Sequence, residues 1–135
     1  MEAMQLTTDL RMLVYTGVLP LLILTVVLAG RLLTPGGSKW GLGNRDEPMR
    51  FPAWNERAGR AHANLVENLA PFAILVLVAH LSGQANDLTA LGARAFFWLR
   101  AAHAAVYIAG IKGLRTLIFM ASLAAEILIL VQILT

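Results

Sequence analysis

Long runs of apolar residues, separated by short polar stretches, dominate the chain. A helix needs about 20 predominantly apolar residues to cross the roughly 30 Å hydrocarbon core of a bilayer. Four segments meet this requirement, although polar residues interrupt some of them, and we predict helices at about 10–33, 54–82, 90–111 and 114–134. Because only helices and closed barrels satisfy their backbone groups within lipid, segments of this length favour helices.

The segments between the predicted helices differ in length and composition. The stretch 34–53 is rich in glycine, proline and charged residues, and we interpret it as an extended polar loop. The connections at 82–87 and 109–113 are short, so the second, third and fourth helices should run antiparallel to their neighbours. The pattern therefore predicts an all-α membrane protein with a single domain, in which four transmembrane helices form a bundle.

The composition supports a membrane protein. Of the 135 residues, 58% are hydrophobic and 14% are charged, whereas a soluble domain has about 45–50% and about 25%. The net charge of +3 would suit a nucleic-acid-binding protein only if basic residues clustered on a solvated face. The chain has no cysteine, which excludes disulfides, thiolate metal sites and a cysteine nucleophile, and its three histidines are too scattered for a metal motif.

Basic residues are distributed unevenly between the two ends of the predicted bundle. An even number of spans places both termini at one end, near Arg11 and Arg94, and the long loop at the other. The basic residues at the loop end are Lys39, Arg45, Arg50, Arg57, Arg60, Lys112 and Arg115. The positive-inside rule therefore predicts a cytoplasmic loop and external termini. The bacterial inner membrane and the endoplasmic reticulum both fit this orientation, and the compact loops favour the bacterial inner membrane.

Polar side chains within three of the predicted spans fall on single helix faces. In the second span, Glu56, Arg60, Asn64 and Glu67 are four, four and three residues apart, which confines them to an arc of about 80°. The third span repeats the pattern with Arg100, His103 and Tyr107, and the fourth with Arg115, Phe119, Ser122 and Glu126. Because charged side chains within a membrane normally face the protein interior, the three faces should converge on one interior or intersubunit cleft.

Three of these charged residues should lie near the middle of the bilayer. At a rise of 1.5 Å per residue, Glu67, Arg100 and Glu126 each lie about 15–18 Å along their helix from a cation at the loop end. One cation between two carboxylates can form a compensated buried network, and loss of Arg100 would leave both acids unpaired. The pattern favours structural pairing, and contact of one of the three with a ligand is the alternative.

The polar residues in the loop-side half of the predicted spans offer a different chemistry. They combine cationic, amide and phenol groups, a set that suits a small anionic molecule such as a peptide with carboxylates. The alternative is that the arginines extend to the membrane surface as snorkelling side chains. Spacing alone leaves both interpretations open. The residues are Arg60, Asn64, His103, Tyr107 and Arg115.

The second span also carries a specific motif. Residues 56–72 follow the pattern E-R-x-x-R-A-H-x-N-x-x-E-N-x-x-P-F, which resembles the second-helix signature of the MAPEG family, the membrane-associated proteins in eicosanoid and glutathione metabolism. A second patch, formed by residues 100–103, Tyr107 and the pair Arg115-Thr116, is similar to the segment of that family that lies next to glutathione. The hydropathy plan agrees with the family over nearly the whole chain.

The resemblance implies a homotrimer of four-helix subunits that binds glutathione as a cosubstrate, in a cleft between subunits that opens to the cytoplasm, and it implies no metal. Arg115 would be the catalytic residue, because a guanidinium beside the sulfur favours the thiolate over a thiol whose pKa is near 8.5. Thr116 would hydrogen-bond the same sulfur or a substrate oxygen. Carried over by position, the glutathione contacts would be Arg31, Arg60, Asn64, Glu67, His103, Tyr107 and Thr116.

Two positions depart from the family pattern. Ala63 stands where some members have an arginine, which removes one anion contact, and Phe119 stands where several members have a tyrosine, which removes a hydroxyl near the sulfur. Both departures weaken the case for any particular eicosanoid reaction.

The resemblance therefore predicts a glutathione-dependent membrane transferase or peroxidase, similar to the microsomal glutathione transferases, that acts on lipophilic electrophiles or lipid hydroperoxides. The alternative is a non-catalytic trimer that binds lipid or glutathione, and Phe119 favours it. A third hypothesis, a transporter that uses the midplane acids as a proton relay, has little support because the sequence has no internal inverted repeat.

Overall fold

The computed structural model describes residues 5–135, and within this range the chain forms five helices and no strands. Four long helices correspond to the four predicted spans, and a short helix lies between the first and second of these spans. The helices are α1 (Thr8–Leu33), α2 (Gly37–Leu42), α3 (Ala53–Leu81), α4 (Asp87–Ala109) and α5 (Leu114–Leu134).

The prediction of an extended loop over 34–53 was wrong in part, because α2 lies within it. Gly36 adopts a left-handed conformation (φ 80°) at the start of α2, and a side chain at Gly37 would collide with the carbonyl oxygen of Arg31. Trp40 packs edge-on against Phe51, with the ring centroids 5.3 Å apart. The glycines that suggested a loop therefore allow α2 to fold back closely onto the end of α1.

The fourth helix, α4, begins at Asp87, three residues before the predicted start. Asn86 caps it: the Asn86 side chain accepts hydrogen bonds from the backbone N–H groups of Leu88 and Thr89, and the Thr89 hydroxyl accepts one from the backbone of Asn86. This reciprocal capping box satisfies N–H groups that have no partner within the helix. The sequence signal lies in residues 86–89, within a segment whose polar composition favours a connection.

Three helices, α1, α3 and α5, are long and apolar enough to cross a membrane. Their outward surfaces are rich in exposed apolar side chains, such as Leu21, Ile74 and Leu117, as contact with lipid requires. The helix α4 has 23 residues, includes Arg94 and Arg100, and packs against α1, α3 and α5. Three of the four predicted spans therefore have the length and composition of membrane-crossing helices. That α4 also crosses the membrane stays a prediction.

Side-chain hydrogen bonds show how the helix ends meet. Asn55, in the first turn of α3, donates to the carbonyl oxygen of Val27 near the end of α1 (3.0 Å). Arg57, also near the start of α3, donates from Nε to the carbonyl oxygen of Ile108 near the end of α4 (2.9 Å). The helix α3 is therefore antiparallel to both α1 and α4, and the α1–α3 connection and the α4–α5 turn lie at the same end of the bundle, which we call the loop end.

Two apolar clusters form the core. In the first, Phe72 of α3 and Phe96 of α4 are fully buried and stacked, with their ring centroids 4.1 Å apart. The second cluster includes Leu65 of α3 and Ala104 of α4 and lies nearer the loop end. Along α4, the buried Arg100 lies between Phe96 and Ala104, so a buried charge separates the two apolar parts of the core.

Replacement of Gly92 by alanine should destabilise the contact between α4 and α5. A Cβ atom at this position would lie 2.7 Å from Cγ1 of Ile129 and 2.9 Å from the carbonyl oxygen of Ala125. We expect Gly92→Ala to lower the free energy of unfolding by about 1–3 kcal/mol, as overpacking does, measured by thermal unfolding in detergent. The matched control is Gly17→Ala in α1, because nothing lies within 4 Å of a Cβ there. Equal stability of the two variants would contradict this close approach.

Candidate functional site

A cavity of about 240 Å³ lies where α3, α4 and α5 meet near the loop end. Its lining combines one amide, one imidazole, one phenol, one guanidinium and one hydroxyl group with a phenylalanine ring. We call it the aromatic cavity. The lining residues are Asn64, His103, Tyr107, Arg115, Thr116 and Phe119.

A second cavity, of about 170 Å³, lies beside the first and includes the turn between α4 and α5. We call it the basic cavity, because four cationic side chains contribute to its wall. Tyr107 and Arg115 line both cavities. The residues that line the basic cavity are Arg57, Arg60, Tyr107, Gly110, Ile111, Lys112 and Arg115.

Arg115 stands at the junction of the two cavities. It is the second residue of α5, and its guanidinium carbon lies 4.5 Å from the centre of the Tyr107 ring. This cation–π contact holds the guanidinium against α4. The side chain is half-buried, so a fixed positive charge faces any molecule that occupies both cavities.

Aromatic contacts form the deeper wall of the aromatic cavity. His103 and Tyr107 are one helical turn apart on α4, and their rings meet edge to face with centroids 5.6 Å apart. The His103 ring also contacts Phe119 of α5, with a centroid distance of 6.1 Å. His103 is buried, so it joins α4 to α5 as well as facing the cavity.

Arg57 fastens the α4–α5 turn to α3. In addition to its hydrogen bond with the Ile108 carbonyl, its guanidinium lies against Gly110, where a Cβ atom would lie 3.1 Å from Cζ of Arg57. Gly110 has a φ of 81° and ends α4, so glycine suits this position both by conformation and by space. Arg57 therefore positions the turn that carries Lys112 into the basic cavity.

Arg100 and Glu126 are buried within the bundle, with exposed fractions of 1% and 6%. Arg100 donates from Nη2 to Oδ1 of Asn64 (2.5 Å). Glu67, the third member of the predicted midplane network, is exposed on α3. Arg100 thus has Asn64 as its hydrogen-bond partner, and its pairing with Glu67 and Glu126 stays a prediction.

The structure brings together most of the residues that the motif singled out. Five of them line the aromatic cavity, and Arg60 lines the adjoining basic cavity. Arg31 lies elsewhere, in a cavity of about 210 Å³ beside α2 that Trp40 also lines, with its guanidinium 5.2 Å from the Phe51 ring. Arg31 and the exposed Glu67 therefore lie outside the two cavities.

Sequence reasoning assigned Arg57 and Lys112 only to the charge balance of the loop end, and missed that both line a cavity. The available signal was the short α4–α5 turn, which keeps Lys112 close to Arg115. Within residues 5–135, no group of three or more His, Cys, Asp or Glu side chains is arranged to hold a metal ion.

Comparison with known proteins extends the resemblance to almost the full chain. Residues 11–135 match the model of the MAPEG family, so the match includes α2 to α5 and nearly all of α1. No curated protein and no solved structure matches the chain. The motif-based identification is confirmed, and the three apolar helices agree with a family of integral membrane proteins that includes glutathione transferases and related proteins. The chain belongs to the MAPEG family.

Proposed function

We propose that the protein is a glutathione-dependent membrane transferase or peroxidase that acts on lipophilic electrophiles or lipid hydroperoxides. The observation that carries the proposal is the position of Arg115, half-buried at the junction of a polar aromatic cavity and a strongly basic one. Family membership supports the same ligand, because MAPEG proteins are glutathione-associated.

The basic cavity suits the carboxylates of glutathione. Arg57, Arg60 and Lys112 supply donors that carry positive charge, and charge-assisted hydrogen bonds to carboxylates are about twice as strong as neutral ones. Each cavity alone is smaller than the roughly 300–1,000 Å³ of a typical ligand pocket, whereas the two together fall within that range. A tripeptide would therefore occupy both cavities, with its thiol near Arg115.

Arg115 stabilises the thiolate of glutathione, and the Thr116 hydroxyl donates a hydrogen bond to the sulfur. In the transferase reaction, the thiol proton passes to water and the thiolate attacks an electrophilic carbon. As the C–S bond forms, that carbon either loses a leaving group with its bonding electron pair or passes a π-electron pair to a neighbouring atom, which then takes up a proton. In the peroxidase reaction, the sulfur attacks the distal oxygen of the hydroperoxide, the O–O bond breaks, and the alkoxide takes up a proton. The resulting glutathione sulfenic acid reacts with a second glutathione to give the disulfide and water.

Lipophilic substrates reach this site from the bilayer. Thr116 lines the aromatic cavity on α5, next to the exposed Leu117 and close to the exposed Met120. A hydrophobic electrophile that dissolves in lipid thus meets a thiolate held at a fixed position, and this proximity supplies a large part of the rate enhancement.

A homotrimer accounts for the predicted contacts that lie outside the two cavities. Glu67 is exposed on the surface of the chain, and Arg31 lies beside α2. With glutathione between subunits, Arg31 would reach it from a neighbouring copy, and Glu67 would be covered at the same interface. The predicted orientation, with the loop end in the cytoplasm of a bacterial cell, gives both cavities access to cytoplasmic glutathione.

A non-catalytic trimer that binds glutathione or lipid is the second candidate. Phe119 favours it, because this side chain lines the aromatic cavity and brings no hydroxyl group to the sulfur. The two functions differ in turnover: a binding protein would hold glutathione without forming a conjugate or reducing a hydroperoxide.

Arg60→Ala tests the proposed binding mode. Loss of one charged donor from the basic cavity should raise KM for glutathione about tenfold or more, with kcat changed much less, in a conjugation assay with a generic aromatic electrophile. The matched control is Arg50→Ala, because Arg50 is an exposed cation of the 34–53 segment that lines neither cavity. Equal KM values for the two variants would contradict glutathione binding at the basic cavity.

A further inference from the structure

Three aromatic rings and two guanidinium groups form a continuous row where α4 and α5 pack together. The guanidinium carbon of Arg100 lies 5.7 Å from the centre of the Phe119 ring, and the Phe119 and His103 centroids are 6.1 Å apart. The row continues from His103 to Tyr107 (5.6 Å) and ends at Arg115, 4.5 Å from the Tyr107 ring centre. We call the three rings the ring row. All four distances lie within the range over which aromatic and cation–π pairs attract each other.

The spacing of residues on the two helices produces this row. His103 and Tyr107 are four residues apart on α4, and Arg115 and Phe119 are four residues apart on α5. Side chains four residues apart on a helix lie on the same face. Because α4 packs against α5, the pair on one helix alternates with the pair on the other, and the guanidinium of Arg115 meets the last ring of the row.

The start of α5 is an unfavourable position for a guanidinium group. Arg115 lies in the first turn, where the helix dipole is positive and where no acidic residue is present. Arg57, Arg60 and Lys112 line the basic cavity together with it, so three further positive charges face it. The π-electron face of Tyr107 attracts the guanidinium. Contact with this ring therefore offsets the repulsion and keeps the guanidinium beside the aromatic cavity.

The Tyr107 ring is itself held by the rest of the ring row. His103 is 3% exposed and meets the Tyr107 ring edge to face, at an interplanar angle of 81°. The Phe119 ring packs against the same imidazole at 52°. Phe119 contributes to this packing through its ring alone, and the packing needs no hydroxyl group.

We infer that Tyr107 is a positioning residue for Arg115: its ring, supported by His103 and Phe119, holds the guanidinium beside the sulfur of glutathione. The inference rests on the proposed function, in which that guanidinium stabilises the thiolate. The family resemblance makes Tyr107 a glutathione contact, whereas the positioning role belongs to the ring and is independent of the hydroxyl. Without the ring, repulsion from the neighbouring cations would move Arg115 away from the sulfur.

The kcat of Tyr107→Leu, measured against pH in the conjugation assay, tests this inference. Loss of the ring should lower kcat at neutral pH about five- to tenfold. It should also move the acidic limb of the pH profile to higher pH, because the bound thiol becomes less acidic when the guanidinium moves away. Tyr107→Phe keeps the ring and should recover most of the lost kcat, and loss of a contact with the hydroxyl would raise KM instead.

The matched control is Tyr15→Leu. Tyr15 is an exposed residue of α1 whose ring packs against Phe97, with centroids 6.1 Å apart, and it lines neither cavity. This variant loses a tyrosine ring from an aromatic contact elsewhere in the bundle, and should leave both kcat and its pH profile unchanged.

A double variant separates positioning from a general structural role. Because Tyr107 acts through Arg115, Tyr107→Leu should cause less than about a twofold further loss of kcat in the Arg115→Ala background. A further loss as large as that in the wild-type background, an unchanged pH profile, or a Tyr107→Phe variant as slow as Tyr107→Leu would overturn the inference alone. Absence of glutathione-dependent turnover by the wild type would overturn the proposed function as well.

Phe119→Leu keeps the test decisive if thermal unfolding shows that Tyr107→Leu does not fold. It removes the ring on the other side of His103, leaves the contact between Tyr107 and Arg115 without that support, and should move the pH profile in the same direction by a smaller amount. An unchanged profile of this variant would contradict the support of Tyr107 by the ring row.

Discussion

Arg115→Ala should lower kcat for glutathione conjugation to a generic aromatic electrophile by about a hundredfold, which is the typical loss when one donor to a developing or reactive anion is removed. Arg115 is the cation that lines both cavities and lies against Tyr107. Without it, bound glutathione would remain mostly a thiol at neutral pH, because an unperturbed thiol has a pKa near 8.5. Steady-state kinetics on detergent-purified protein measures this effect.

Two variants control for the general loss of positive charge. Arg115→Lys retains a cation without the planar guanidinium, and should keep part of the activity that the alanine variant loses. Arg94→Ala removes an exposed arginine of α4 near the opposite end of the bundle, and should leave kcat unchanged. Equal turnover by the wild type and Arg115→Ala would show that the assigned role of Arg115 is wrong.

Arg100→Ala should be the most destabilising substitution, lowering the free energy of unfolding by about 3–5 kcal/mol. The side chain is 1% exposed, and its removal leaves the Asn64 oxygen without its donor. In the predicted midplane network, its removal also leaves the buried Glu126 carboxylate without a compensating charge. Thermal unfolding in detergent, followed by circular dichroism, measures the loss.

Removal of both charges should restore most of this stability. The double variant Arg100→Leu/Glu126→Leu leaves no unpaired charge between the two apolar clusters, and replacement of a buried ion pair by apolar residues is often neutral or stabilising. A double variant less stable than Arg100→Ala would contradict the pairing of Arg100 with Glu126.

Hydropathy and spacing predicted the long helices well because lipid imposes a length and a composition on any segment that crosses it. The helix α2 is hard to predict because glycine, proline and charge in 34–53 favour a loop, whereas Gly37 serves here to let α2 approach the Arg31 carbonyl closely. The early start of α4 is predictable in principle, since the Asn86 capping box is local, although the polar composition of 82–87 favours a connection.

The candidate site was predictable from helical periodicity to the level of a helix face. An arc of about 80° on α3 contains both Asn64 and Glu67, yet the structure directs Asn64 to the cavity and leaves Glu67 exposed. Which of these two side chains faces the cavity depends on how α4 packs on α3. Helical periodicity in the sequence does not determine that packing. The contribution of Lys112 likewise depends on the path of the α4–α5 turn.

Binding of glutathione as a thiolate beside Arg115 is tested most directly by titrating the purified wild-type protein with glutathione at neutral pH and following the ultraviolet absorption of the thiolate. A site that binds glutathione beside Arg115 predicts a saturable thiolate signal, and S-methylglutathione, which has no ionisable thiol, should compete for the site without producing it. Absence of saturable binding would contradict a glutathione site in this protein. Saturable binding without a thiolate signal would contradict stabilisation of the thiolate by Arg115.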